Sequence, residues 1–271
     1  MRMAVLFVAG LFLSPLGAQT PPKKPADPQA SLPLTLGNPI EPQAAVPVND
    51  EPHHAHEFQN GYVRVYNVTV PPLDATLLHQ HDRPYIYLVL GEADVVNAVQ
   101  GQPEAQMMLE DGATRYSPGG FAHIARTDAG IAFHNITIEL EHPQNSPQNL
   151  GSQATSRPLG SCPPRVGDPR NPQIPAEQII HCFETDEVEL DLVHVEGGKD
   201  YQEAAPKTAA LLVAMSNANL EVFLGGQDAG FLHAGDVLWL PAGVPRQVTD
   251  FLGIRSNFLL LSFKDSAASA Q

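Results

Sequence analysis

Short segments with alternating apolar and polar positions run through most of the chain. In Tyr62–Val70 the apolar Val63, Val65, Val68 and Val70 are interleaved with Arg, Asn and Thr, the partial period of two that marks a half-buried strand. Leu77–His81, Tyr85–Leu90, Asp94–Val99, Gln106–Leu109, His123–Arg126 and Ala132–Leu140 repeat that texture, punctuated by Gly and Pro turns. A second run of strands extends from about Ile179 to Phe263. Many short strands with such turns predict an all-β barrel or sandwich.

The two runs are related. Val68-Thr69-Val70 followed by Leu88-Val89-Leu90 has a counterpart 125 residues on, in Val193-His194-Val195 followed by Val213-Ala214-Met215. Gly112, Pro118 and Gly120 reappear 123 residues on as Gly235, Pro241 and Gly243. Two copies of this size predict tandem domains and not a solenoid. The expected boundaries are 57–142 and 179–264, joined by a linker over 143–178 that is rich in Pro, Asn and Ser. Eight prolines and no aromatic residue between Pro21 and Pro47 predict a disordered tether over 19–56.

The first 18 residues have a different texture. Arg2 precedes an apolar run of ten residues, Ala4 to Leu13, and Ser14 to Ala18 offer a helix break and small residues before a cut ahead of Gln19. That is a signal peptide pattern, and its apolar run is shorter than the roughly 20 residues of a membrane span. An uncleaved anchor is the alternative. No Cys lies near the cut to carry a lipid, and no later stretch is long enough to span, so no membrane association is expected after cleavage. The expected location is periplasmic or secreted. There Cys162 and Cys182 are expected to pair, closing a loop of about 20 residues, with two separate thiols as the alternative.

Composition narrows the partners. Hydrophobic residues make up 43% of the 271, enough for one or two cores. A formal charge of −15 excludes nucleic acid, which needs clustered Lys and Arg, and disfavours an anionic membrane surface. The acidity itself reads as solubility by self-repulsion.

The candidate chemistry lies in Leu78-His79-Gln80-His81. Residues i and i+2 of a strand share a face, so His79 and His81 form a chelating pair for Fe, Mn, Ni, Cu or Zn. Alone, this pair is a weak signal. Gly112-Ala113-Thr114-Arg115-Tyr116-Ser117-Pro118-Gly119-Gly120-Phe121-Ala122-His123 strengthens it. Together the two stretches resemble the paired motifs of the cupin superfamily. The second motif matches from Gly112 to His123 at every spacing and ends in Thr127 where Asn is usual, while the first supplies His79, His81 and Gly91. The resemblance implies two tandem cupin (jelly-roll-like) β-barrels, and it implies that His79, His81 and His123 hold one divalent transition metal. It departs at the family's acidic ligand, whose place falls on Pro84, Tyr85 or Ile86. Unless Tyr85 or Asp82 moves in, three histidines with open positions are expected, the coordination that catalytic sites keep.

The second copy lacks the motif. At the same offsets His79, His81 and His123 become Ala204, Pro206 and Arg246, so its barrel is expected to be metal-free, packing on the first or offering a homodimer surface. His53, His54 and His56 are read as solvated histidines on the entry segment, with an extra ligand as the sharper alternative. Arg83, Arg115 and Arg126 are read as surface residues, with anchoring of a carboxylate substrate as the alternative. Whether Tyr85 and Tyr87 face the metal is left open by the spacing. These readings favour a metal-dependent oxygenase acting on a small organic substrate. The alternatives are a cupin lyase or isomerase, and a non-catalytic protein that binds a small molecule or a metal.

Overall fold

The computed structural model describes residues 34–36, 43–151, 154–163, 178–196, 200–253 and 255–264. The signal peptide expected over 1–18 lies outside the described residues. The seven strands expected between Tyr62 and Leu140 all form, with ends moved by no more than two residues.

The first half folds as two six-stranded sheets. One runs, neighbour to neighbour, Leu34–Leu36, Glu104–Leu109, Ala93–Val99, Phe121–Arg126, His79–His81 and Val46–Pro47. The other runs Ser161–Cys162, Thr114–Ser117, Tyr85–Val89, Phe133–Leu140, Val63–Val70 and His54–Gln59. The second half pairs a six-stranded sheet (Gln148–Asn149, Ile179–Glu184, Val188–Val195, Ser256–Phe263, Ala210–Ala214, Val237–Leu240) with a four-stranded one (Tyr201–Glu203, Arg246–Asp250, Asn219–Leu224, Gln227–His233).

The internal repeat is more regular than the motifs imply. His54–Gln59, Val63–Val70 and Tyr85–Val89 recur 125 residues later as Ile179–Glu184, Val188–Val195 and Ala210–Ala214. Thr114–Ser117 and Phe133–Leu140 recur 123 residues later as Val237–Leu240 and Ser256–Phe263. Even the irregularity is copied: a register shift between His56 and Phe58 has its twin between His181 and Phe183.

The halves meet sheet on sheet. Val63, Val65, Ile86, Leu88, Ile136 and Ile138 from the first pack with Leu190, Leu192, Leu211, Val213, Leu259 and Leu261 from the second, all fully buried. Burying each such side chain contributes about 1.5–3 kcal/mol, so this seam is a hydrophobic core in its own right. Phe58 and Tyr62 extend it by stacking on Trp239, the sole tryptophan. Strand parity then fixes what looks inward. Along Phe133–Leu140 Ile136, Ile138 and Leu140 enter the seam, and Asn135, Thr137 and Glu139 point into the first barrel. The second barrel is filled by apolar side chains such as Leu212, Leu220, Val222, Val248 and Phe258.

Two boundaries differ from expectation. Within the tether expected over 19–56, Leu34–Leu36, Val46–Pro47 and His54–Gln59 are strands of the first barrel. Pro47 is accommodated because Val46–Pro47 is an edge strand, parallel to His79–Gln80, where a missing N–H breaks no ladder. The linker expected over 143–178 laces the halves together: Gln148–Asn149 pairs with Phe183–Glu184 of the second barrel, and Ser161–Cys162 returns to pair with Thr114–Arg115 of the first.

Cys162 and Cys182 form the expected disulfide, with Cα atoms 4.9 Å apart and both residues buried. It joins a strand of the first barrel to one of the second. Replacing both cysteines by alanine is expected to lower the unfolding free energy by about 3 kcal/mol, the closure term for a loop of this length. Urea titration followed by Trp239 fluorescence measures this, and an unchanged midpoint would show that seam packing alone joins the halves.

Candidate metal centre

The strand His79–His81 is buried, exposed, buried, so both imidazoles enter the barrel and Gln80 faces out. Phe121–Arg126 lies beside it with His123 opposite His79 in register. A fourth ring, His54, begins the strand His54–Gln59 and is buried against the same group. Ring centroids are 4.6 Å apart for His54 and His79, 5.1 Å for His79 and His81, and 4.5 Å for His79 and His123. His54, His79 and His81 each offer a nitrogen within 4.8 Å of the others, a group that fits a metal ion. His123 adjoins this trio, its ring 5.5 Å from that of His81.

Each ring is oriented from behind. Nδ1–H of His79 donates to the Leu77 carbonyl (2.9 Å), that of His81 to Glu139 (3.1 Å), that of His123 to Asn97 Oδ1 (2.8 Å) and that of His54 to Glu51 (2.6 Å). A donor on Nδ1 leaves the lone pair on Nε2. The Nε2 atoms of His79 and His123 are buried without a hydrogen-bond partner. Such orphaned acceptors are costly unless something binds them, and imidazole nitrogens are the donors that transition metals take. Carboxylates behind ligating histidines fix the tautomer and raise ligand basicity.

Burial, reinforced by the neighbouring His54, drops the His79 pKa to about 3, and burial likewise holds His123 well below the ordinary range. Both rings are therefore neutral at physiological pH. Burial would raise the carboxyl of Glu51, but hydrogen bonds from His54, His53 and the Leu77 amide hold it at about 2. Fully enclosed, Glu51 ties the segment before His54 to the loop before His79.

The structure settles the open residues. Tyr85, at a candidate place for the family's acid, packs tilted against His81 with ring centroids 4.4 Å apart; burial raises its phenol against a hydrogen bond with Ser117, keeping it neutral. Tyr85 and Tyr87 both line the cavity. Asp82 is exposed and bonded to Gln80. Arg83 pairs with Glu141 and Arg126 with Glu104 and Asp128, while Arg115 bonds Tyr87. His53 is held by Glu51 and Asp74, and His56 is exposed. His54 corrects the reading of this trio as solvated. His-Ala-His-Glu-Phe-Gln carries no apolar alternation because its inward residue is an imidazole. The signal was in the repeat: Ile179–Glu184 reads as a strand, and carried back 125 residues it falls on His54–Gln59.

In the second barrel, Arg246, the counterpart of His123, donates from Nε to Glu203 at 2.8 Å, and His54 is replaced by Ile179. In front of the histidines of the first barrel lies a cavity of about 210 Å³. Its lining combines the polar Tyr85, Ser117, Asn135 and Thr137 with the apolar Val95, Met107, Leu109, Phe121 and Phe133.

A double barrel with inward histidines on adjacent strands defines a two-barrel cupin fold, and comparison with solved structures agrees. AerE from Microcystis aeruginosa is 12% identical, with a TM-score of 0.50 over 79% of this chain and 98% of that one. Salicylate 1,2-dioxygenase from Pseudoaminobacter salicylatoxidans, in its adducts with gentisate, is 13% identical, with a TM-score of 0.51 over 77% and 69%. These identities speak to the fold alone. No family model matches the sequence, and none of the curated proteins compared with it matches either.

One glycine of the second motif positions the site. Gly119 adopts φ +66, and a Cβ there would lie 2.0 Å from the Arg83 carbonyl oxygen and 3.1 Å from that of His81. Gly120 N–H donates to the same His81 carbonyl at 2.7 Å. Gly119→Ala is expected to push this loop off the histidine strand and destabilise the protein by more than the roughly 1–3 kcal/mol of a left-handed non-glycine residue. Differential scanning fluorimetry measures it; an unchanged melting temperature would contradict the close approach.

Proposed function

We propose that this chain is an exported, metal-dependent cupin oxygenase whose first barrel holds one divalent transition metal on His54, His79, His81 and His123. The observation that carries the reading is the convergence of buried Nε2 lone pairs, each fixed from Nδ1, on one cavity. The metal would supply the redox centre at which dioxygen and an organic substrate react. The protein's own part is to bind and orient the substrate and to exclude water through the apolar residues of the lining. Lyase or isomerase chemistry needs a protein base. Among the described lining residues there is no carboxylate, since Glu51 and Glu139 are spent on the histidines, and both tyrosines are held neutral. Oxygenation, which asks for no such base, is therefore favoured. Export is supported by the apolar N-terminal run and by a disulfide, which persists in oxidising compartments. Gentisate, with which the dioxygenase forms its adducts, is an aromatic acid; an aromatic substrate is carried over to this cavity, but the acid group has no cationic residue to meet it.

Elemental analysis of purified protein is expected to find about one metal per chain, lost in the His79→Ala, His123→Ala double variant. His54→Ala and Glu51→Gln are expected to weaken metal affinity by about 10–100-fold, as ligand and orienting partner do. Protein that holds no metal and resists loading would sink the reading. Unchanged affinity in His54→Ala would restrict the ligands to the motif histidines.

A further inference from the structure

We propose that the cavity selects a neutral, single-ring molecule carrying hydroxyl or carbonyl oxygen, and rejects the same molecule when it also bears a carboxylate. This rests on the reading of the histidines as a metal centre and adds the substrate class.

Size comes first. About 210 Å³ is below the roughly 300–1,000 Å³ of pockets that enclose drug-sized ligands, so one ring with short substituents fills it. The lining mixes polar and apolar groups: Phe121 stands beside His81 and His123, and Phe133 shares its strand with Asn135 and Thr137, while Val95 and Leu109 add further apolar surface. A ring can pack on these apolar side chains while its oxygen meets the histidines or the neutral hydroxyls.

Charge decides the rest. Among the described lining residues there is neither Lys nor Arg. The guanidiniums nearby are committed elsewhere: Arg64 lies 3.8 Å from Glu139 and 3.5 Å from Glu141, Arg83 is 2.9 Å from Glu141, and Arg126 is 3.1 Å from Glu104. Arg115 reaches the cavity only through its bond to Tyr87. The charges standing directly behind the rings are the buried Glu51 and Glu139. A carboxylate beyond the one group the metal accepts would be desolvated with no cationic side chain to meet it, and the buried Glu51 and Glu139 offset the metal's own charge. Neutral hydroxyls and amides of Ser117, Thr137 and Asn135 suit neutral oxygen instead.

The experiment uses the full chain loaded with Co(II) under anaerobic conditions, with metal uptake read by elemental analysis. Catechol and 2,3-dihydroxybenzoate, which differ by one carboxylate, are then titrated against the visible cobalt spectrum. In parallel, phenol and benzoate are compared on the protein before loading by saturation-transfer NMR. Catechol is expected to bind at least about tenfold more tightly than its acid, and phenol more tightly than benzoate. Met107→Lys, which places an ammonium in the cavity lining, is expected to close the catechol gap. Cobalt uptake with both acids bound as tightly as the neutral rings overturns this inference and leaves the metal reading standing. Preference for phenol without cobalt uptake does the reverse. A gap that Met107→Lys leaves unchanged would refute charge as its cause.

Discussion

The packing of one sheet from each barrel against the other is the constraint on which the rest depends. A strand in a sheet must bury an apolar face, and in an ordinary barrel that face turns inward. Here the central strands of the first barrel turn theirs outward: Ile86, Leu88, Ile136 and Ile138 are fully buried in the seam. With the hydrophobic requirement met outside, the inner face is released for polar work. That is how Tyr85, Tyr87, Asn135, Thr137 and Glu139 come to stand in a barrel interior without unfolding it. The second barrel, filled with leucine, valine and phenylalanine, supplies the other half of the seam. Its apolar strands, without a histidine motif among them, fit that packing role.

Within that frame the site is governed by hydrogen-bond satisfaction. Burying an imidazole leaves two nitrogens to account for. In all four rings Nδ1 is satisfied by a protein acceptor, which commits Nε2 to the interior. Glu51 is the most economical of these acceptors. One buried carboxylate takes Nδ1–H from both His53 and His54, and backbone N–H groups from His53 and Leu77, so the N-terminal segment and the histidine strand share an anchor.

Much of this was legible in the sequence, for reasons that differ by element. Val63–Val70 and Phe133–Leu140 were readable because both faces are buried and β-branched residues fill them. His79, His81 and His123 were readable as a constellation because motif glycines fix the turns between their strands, Gly119 most tightly. His54 was missed because the inward position of its strand is polar, so the periodicity that reveals strands disappears where the strand does its chemistry. The ordered stretch from Val46 to Glu51 was missed because proline density was read as disorder, although Pro47 sits on a sheet edge. That Met107 and Leu109, from the strand Glu104–Leu109, come to line the same cavity as the histidines is a property of tertiary packing that no motif records.

The strand Ser256–Phe263 has a consequence for synthesis. It lies at the middle of the second barrel's seam sheet, between Val188–Val195 and Ala210–Ala214, and it is the most C-terminal strand described. A ribosome delivers it after every other piece of the seam. Until it arrives, the sheet that covers the outward leucines and isoleucines of the first barrel lacks its central strand. A truncation that removed it would unmake the seam behind the histidine cavity without touching a single residue that lines that cavity.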